Sequence, residues 1–189
     1  MMPRLVRDLR LRLARLPTLR MSVPDAPAVS VRDPWPGDAV RGARLLKGEL
    51  VYYGAVRPLK PGAWPDTGSS ALMRAHAHGF TWLRDLREIG TDAARMRARA
   101  LVADWIESGQ ENMSQRPDVA GARLAAWLGH YDFFAASADD EFRNRMLRRL
   151  VSDTRQLAAA LPAEEMDGRA LTALKGLIAA AISLPDHAG

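Results

Sequence analysis

Residues 170–184, with the sequence ALTALKGLIAAAISL, decide the fold that this chain is expected to adopt. A helix formed by this segment is apolar on nearly every face, and such a helix has to be buried inside a larger assembly. Only residues 185–189 follow it in the sequence. We therefore expect this segment to be the last element of a ring of helical hairpins that is interrupted before the ring closes.

Four segments upstream of it also place apolar residues at helical spacing. Glycines end the first two of these helices, at Gly90 and Gly109, and Asp167 can cap the last helix of the series. Ser137 and Asp140 form a capping-box pattern before the fourth helix. The five helices are predicted at residues 71–89, 91–109, 118–135, 137–161 and 167–184. Because the loops between them are short, neighbouring helices should form antiparallel hairpins.

The N-terminal part of the chain differs from the rest in composition. Residues 3–16 place Leu at helical spacing opposite Arg, which predicts a basic amphipathic helix that packs on the domain or lies on a membrane or nucleic acid. Residues 17–38 contain five prolines and are predicted to be a linker. The convincing strand material lies at residues 48–59. We predict a basic helix and linker over residues 1–38 and a mainly α domain over residues 39–189.

Composition and spacing exclude several kinds of site. The chain has no Cys, which excludes disulfides, thiolate metal ligands and Cys nucleophiles. His76 and His78 would diverge on a helix and could not chelate one metal. We expect His76 in the core and His78 at the rim. No phosphate-binding glycine loop or HExxH motif occurs. We expect no metal and no cofactor. Much of the net charge of +5 lies in the first 20 residues, so we expect no nucleic-acid partner for the domain.

Three patches, in order along the chain, resemble the N-terminal part of the heparinase II/III family of polysaccharide lyases. They are HGFTWLRDL at residues 78–86, ARLAAWL at residues 122–128 and LKGLIAAA at residues 174–181. The resemblance covers residues 35–189. It implies an incomplete α/α toroid, N-terminal to a β-sandwich, and an acidic polysaccharide as the partner.

The resemblance also implies β-elimination on uronic-acid polysaccharides. In that reaction a base removes the C5 proton, a second group neutralises the carboxylate, and an acid protonates the leaving oxygen. The family's neutralising Asn or His and its Tyr belong to later parts of the toroid, and Gly168-Arg169 stands where several members have Asn-His. We therefore assign no catalytic residue to this chain and expect it to be inactive as a lyase on its own.

Four residues are candidates for contact with a saccharide: Arg123, Trp127, His130 and Arg169. Aromatic faces and guanidinium groups suit a polyanionic sugar chain, and Arg169 could neutralise a carboxylate. The alternative for the first three residues is plain helix packing. The alternative for Arg169 is a solvated position in the first turn of its helix.

Two other functions stay open at this point. A non-enzymatic helical scaffold or interaction module would use the exposed fifth helix for self-association. A protein of membrane surfaces or nucleic acids would use the basic helix at residues 3–16. Residues 170–184 include Lys175 and are too short to span a bilayer, and no signal peptide is recognised. A cytoplasmic location is the default, and the family resemblance makes the periplasm the alternative.

Overall fold

The computed structural model describes residues 23–108, 112–161 and 167–187, so the helix predicted at residues 3–16 lies outside the described residues. The described ranges contain eight α-helices and two β-strands. The helices are α1 (Ala39–Leu46), α2 (Ala71–Gly79), α3 (Leu83–Ile89), α4 (Asp92–Ser108), α5 (Pro117–Gly129), α6 (Tyr131–Phe134), α7 (Asp140–Ala160) and α8 (Gly168–Ser183). The strands are β1 (Glu49–Tyr52) and β2 (Ala55–Pro58). The mainly α class with a short β segment near the N-terminus is confirmed.

The first helix and the β hairpin form a small unit before the longer helices. The sequence did not predict α1. Asp38 caps this helix, and its carboxylate accepts hydrogen bonds from the backbone N–H groups of Val40 and Arg41 in the first turn. β1 pairs antiparallel with β2, and Tyr52 lies opposite Ala55. The hairpin turn therefore consists of Tyr53 and Gly54, which have positive φ values of 46° and 77°. Positive φ at both positions is typical of a type I′ turn.

Two of the five predicted helices are broken in the structure. The helix predicted at residues 71–89 divides into α2 and α3, because Phe80 adopts the left-handed conformation with φ of 57°. The helix predicted at residues 118–135 divides into α5 and α6 at His130, where φ is −120° and ψ is 13°. The prediction of continuous helices was wrong at both places.

Helix ends that depend on a local signal were predicted more accurately. Gly90 ends α3 with φ of 67°, and the carboxylate of Asp167 accepts hydrogen bonds at the start of α8. The prediction that Ser137 and Asp140 form a capping box is wrong, since the residue that caps α7 is Asp139. Its carboxylate accepts a hydrogen bond of 2.8 Å from the backbone of the first turn.

Aromatic rings form the centre of the core. Trp105 and Trp127 meet edge to face with their ring centroids 5.6 Å apart. Phe80 packs against the two indoles at 5.7 Å and 5.2 Å, and Trp82 lies 5.1 Å from Phe80. All four side chains are buried. This packing holds Phe80 in its left-handed conformation and offsets the free-energy cost of that backbone geometry.

α8 packs along α5 through residues that have little or no side chain. A Cβ atom added at Gly121 of α5 would lie only 2.6 Å from the Cα of Ala173 in α8. The buried positions of α8 are Ala170, Ala173, Gly176, Ala179, Ala180 and Ser183. Its exposed apolar residues are Leu171, Ile178 and Ile182. The sequence predicted an apolar helix that nothing covers. One face of α8 is indeed apolar and exposed, whereas the other face consists of small residues and is buried against α5.

Replacing Gly176 with Ala is expected to lower the free energy of unfolding by about 1–3 kcal/mol, the usual cost of overpacking a core. The added methyl group would overlap the backbone of Gly121, so the two helices would have to move apart. Urea unfolding, followed by far-ultraviolet circular dichroism, measures the loss.

Gly168→Ala is the matched control for this substitution. Gly168 is the first residue of the same helix, and a Cβ atom there would meet nothing within 4 Å. The free energy of unfolding of the Gly168→Ala variant should equal or exceed that of the unmodified chain. Equal midpoints for Gly176→Ala and Gly168→Ala would contradict a close contact between α5 and α8.

Candidate functional site

Arg123, the first of the candidate saccharide contacts, is buried and contacts four other parts of the fold. Its side chain is 1% exposed, and its Nε and Nη2 atoms donate hydrogen bonds of 2.9 Å and 2.7 Å to the Asp153 carboxylate. Its Nη1 atom donates to the backbone carbonyls of His78 and Ser114 at 3.3 Å and 3.1 Å. The guanidinium also lies over the ring of Trp105, 4.2 Å from the centroid. Arg123 thus offers no surface to a saccharide in this conformation.

Trp127 and His130 are buried as well. Trp127 belongs to the aromatic core described above, and His130 is 2% exposed. The Nε2 atom of His130 lies 3.3 Å from a carboxylate oxygen of Asp33. Burial first, and then the nearby charge of Arg87, lower the pKa of His130 to about 4. The imidazole is therefore neutral at pH 7, and its contact with Asp33 is not an ion pair at that pH.

Arg169 is the one candidate that is exposed, in the first turn of α8. None of the four candidates lines either of the two clefts described below. The geometry gives Arg123, Trp127 and His130 packing roles, which was the alternative considered for them.

The extended segment 31–37 is fastened against the helices by arginines of α3. Arg84 forms an ion pair of 3.0 Å with Asp33. Arg87 donates hydrogen bonds to the backbone carbonyls of Asp33 and Trp35 at 2.9 Å and 2.6 Å. These contacts fix the segment at one place on the helical domain, where it forms a wall of the first cleft.

The first cleft, which we call the helix groove, has a volume of about 250 Å³ and lies between α5, α8 and residues 31–34. Most of its surface is apolar. The apolar lining includes Ala122, Ala125, Ala126, Ile178, Ala179 and Ile182. The polar and charged lining consists of Arg32, Asp33, Thr81, Arg84, Thr172 and Lys175. Apolar walls with a few placed polar groups are typical of ligand sites.

The second cleft, which we call the hairpin cleft, has a volume of about 560 Å³ and lies between the β hairpin and helices α1, α2 and α3. Its side chains come mainly from Arg41, Val51, Tyr52, Tyr53, His76, Thr81, Arg84 and Asp85. Thr81 and Arg84 line both clefts. The two clefts therefore adjoin at these two residues, and together we call them the concave surface.

His76 lies in the hairpin cleft and is held by two neighbours. The ring of Tyr52 stacks on its imidazole with the centroids 4.1 Å apart, and the hydroxyl of Thr81 lies 2.8 Å from its Nδ1 atom. Burial lowers the pKa of His76 to about 4. The cleft therefore contains a neutral imidazole at pH 7, which can accept or donate a hydrogen bond but carries no charge.

His78, in contrast, is buried, and its Nδ1 atom accepts a hydrogen bond of 3.0 Å from the indole N–H of Trp105. The sequence had indicated the opposite, with His76 in the core and His78 at the rim. The reversal follows from the end of α2 at Gly79 and the turn at Phe80, which direct the last residues of that helix inward.

The cationic groups on the concave surface differ in whether a carboxylate of the protein already binds them. Arg41 donates two hydrogen bonds, of 3.0 Å and 3.1 Å, to the buried carboxylate of Asp85. This bonding raises the pKa of Arg41. Arg32 and Lys175 are exposed, and within the described ranges neither of them forms an ion pair. These two cations are available to an anionic ligand.

Apart from His76, the residues of the hairpin cleft were not among the candidates that the sequence indicated. Thr81, Arg84 and Asp85 lie within the 78–86 patch that carries the family resemblance, and this patch is the signal that could have identified them. Arg41 lies on a helix that was not predicted. Among the described residues no group of three or more His, Asp or Glu could hold a metal ion. None of the described helices has both the length and the hydropathy needed to cross a membrane.

Comparison with known proteins gives a partial similarity. The FtsZ-localized protein C of Caulobacter vibrioides (strain NA1000 / CB15N) is 37% identical to this chain over 91 residues. The aligned part is 46% of this chain and 16% of that protein, so the match spans a small share of the relative's length. No family model matches the chain, and no solved structure matches it.

Replacing Asp153 with Ala is expected to lower the free energy of unfolding by about 3–5 kcal/mol, because the substitution leaves the Arg123 cation buried without its carboxylate. Burial already lowers the pKa of Arg123, and the charge of Asp153 opposes that shift. Thermal and urea unfolding measure the loss.

Glu107→Ala serves as the control, since it removes an exposed ion pair with Arg145. Its expected cost is below about 1 kcal/mol. A cost for Asp153→Ala as small as that of the control would contradict the structural role of Arg123. That result would return Arg123 to the candidates for ligand contact.

Proposed function

We propose that this chain is the N-terminal helical part of a heparinase II/III-like protein and forms one wall of a groove for an acidic polysaccharide. In that protein its helical hairpins would belong to an incomplete α/α toroid. The reaction class of the proposed family is β-elimination on uronic-acid polysaccharides. The chain by itself is expected to bind the saccharide without cleaving it.

The observation that carries this proposal is where the three patches of family resemblance meet. Thr81 and Arg84 of the first patch line the helix groove, as do Ala122 and Ala126 of the second. The third patch, at residues 174–181, contributes a further wall of the same groove. If the three patches serve one binding site, we expect them to line the same surface, and all three line the helix groove.

The chemistry of this surface favours an acidic sugar chain. Guanidinium and ammonium groups form charge-assisted hydrogen bonds with carboxylates and sulfates. Arg32 and Lys175 provide such groups beside the apolar walls of the helix groove. The adjoining hairpin cleft adds Arg41 and two Tyr side chains. An extended ligand with repeated negative charges would contact both clefts at once.

The purified chain is expected to bind tetrasaccharides of alginate and heparan sulfate, with an affinity that falls as salt rises. The double variant Arg32→Gln, Lys175→Gln should bind roughly tenfold more weakly, because it removes two exposed cations from the groove. Isothermal titration calorimetry at two salt concentrations measures both effects.

Arg148→Gln is the matched control, because Arg148 is exposed on α7 and lines neither cleft. Its affinity should equal that of the unmodified chain, and neutral maltotetraose should not bind to any of these proteins. The absorbance of unsaturated uronate should stay flat in the same mixtures. Absence of binding to both acidic tetrasaccharides would overturn the proposal, and a sustained rise in absorbance would contradict the expected lack of cleavage.

A second candidate function is a non-enzymatic interaction module of cell division. The name of the Caulobacter relative says that it is localised with FtsZ, and the shared 91 residues favour a related role for this chain. The exposed apolar face of α8, formed by Leu171, Ile178 and Ile182, is a surface that such a module could use. The same face is where self-association of the chain is expected.

If this second function holds, the chain should pellet with FtsZ filaments assembled with GTP and stay in the supernatant with unassembled FtsZ. The variant Leu171→Ser, Ile178→Ser should pellet less, because it removes the apolar surface, while Met96→Ser, at an exposed site on α4, should not change the result. Sedimentation followed by gel densitometry measures the bound fraction. Equal amounts of chain in the pellet with and without GTP would exclude this function.

A further inference from the structure

Tyr53 occupies a backbone position that favours other residues. A type I′ turn requires positive φ at both central residues, and Asn, Asp or Gly is strongly preferred there. Tyr53 has φ of 46° at the first of these two positions. A bulky side chain with positive φ is an outlier, because its Cβ crowds the neighbouring backbone. The hairpin would form more readily with Asn at this position.

Packing does not compensate for this backbone conformation. Tyr53 is 88% exposed, so its ring gains little from burial. Its ring contact within the described residues is edge to face with Tyr52, at a centroid distance of 4.6 Å. Phe80 has a similar backbone conformation, but its ring is fully buried in the aromatic core. Strained residues that packing does not hold are found most often at ligand sites.

Tyr53 lines the hairpin cleft, where its exposed ring could contact a ligand. Tyr53 meets Tyr52, and Tyr52 stacks on His76, so three rings follow one another from the turn into the cleft. Arg41 lines the same cleft, and 46% of its side chain is exposed. Asp85 binds the Nε and Nη2 atoms of this guanidinium, and the Asp38 carboxylate lies 3.4 Å from its Nη1 atom. The cleft thus presents an exposed aromatic face next to a guanidinium that two carboxylates hold in place.

We propose that Tyr53 is the platform on which one sugar ring of the ligand stacks, while the carboxylate of that ring pairs with Arg41. This inference rests on the proposed binding of an acidic polysaccharide and names the subsite that holds one uronate unit. An aromatic face covers the C–H face of the sugar. Asp85 uses one N–H of Nη2 and the N–H of Nε in Arg41, so the remaining N–H groups on Nη1 and Nη2 donate to the carboxylate of the ligand. Both side chains are already exposed, so a ligand can reach Tyr53 and Arg41 without a rearrangement of the fold.

The test is the substitution Tyr53→Asn, with an alginate tetrasaccharide as the probe. Since Asn suits the first position of the turn, the melting temperature of this variant should equal or exceed that of the unmodified chain. Its affinity for the tetrasaccharide, measured by isothermal titration calorimetry, should fall about tenfold. A gain in stability together with a loss of binding is a result that a purely structural Tyr would not give.

Tyr53→Phe is the matched control, since it keeps the ring and removes only the hydroxyl. Its affinity should stay within about twofold of the unmodified chain. Unchanged affinity of Tyr53→Asn would overturn the platform and leave the proposed saccharide binding intact. An equal loss in Tyr53→Phe would also overturn it, because the hydroxyl and not the ring would then bind the ligand. Failure of the unmodified chain to bind would instead overturn the proposed function.

Discussion

The buried guanidinium of Arg123 is the interaction on which the arrangement of the longer helices depends. It belongs to α5, pairs with Asp153 of α7, donates to the carbonyl at the end of α2 and lies on the indole of Trp105 in α4. A buried cation that loses its partner costs several kcal/mol, so the helices can pack in few ways that satisfy it. The end of α2 is fixed by this contact, and the chain then turns at Phe80 and places Thr81 where the two clefts meet.

The sequence predicted those parts of the fold that have a local cause. The apolar stripes of α4, α7 and α8 repeat over three or more turns, and Gly90 and Asp167 act on the residues beside them. The breaks at Phe80 and His130 have a distant cause. The chain turns at Phe80 because its ring packs against both Trp105 and Trp127, which lie 25 and 47 positions further along the chain. No pattern within residues 71–89 contains that information.

The candidate site shows the same division between local and distant causes. Arg123 was a candidate for a saccharide contact, with helix packing as the alternative, and only the partner 30 residues away explains its burial. The three patches of family resemblance were visible in the sequence, but their meeting at the helix groove depends on how the helices pack. The hairpin cleft escaped prediction because Arg41 and Tyr53 belong to a helix and a turn that the sequence did not define. For Arg123 and for the three patches the missing element was a contact between segments far apart in the chain. The turn at Tyr53 is local, but Tyr is not a residue that this type of turn favours.

The contact between Gly121 and Gly176 has a consequence for how such a groove could change during evolution. The walls of the helix groove stand on α5 and α8, and where these helices touch, backbone meets backbone. The gap between the walls is therefore set by the size of the peptide group and not by the rotamers of bulky spacers. Exposed residues at the rim, such as Lys175, can be exchanged one at a time to suit another ligand while the gap keeps its width. The two glycines lack this freedom, and lineages that retain the groove should retain them.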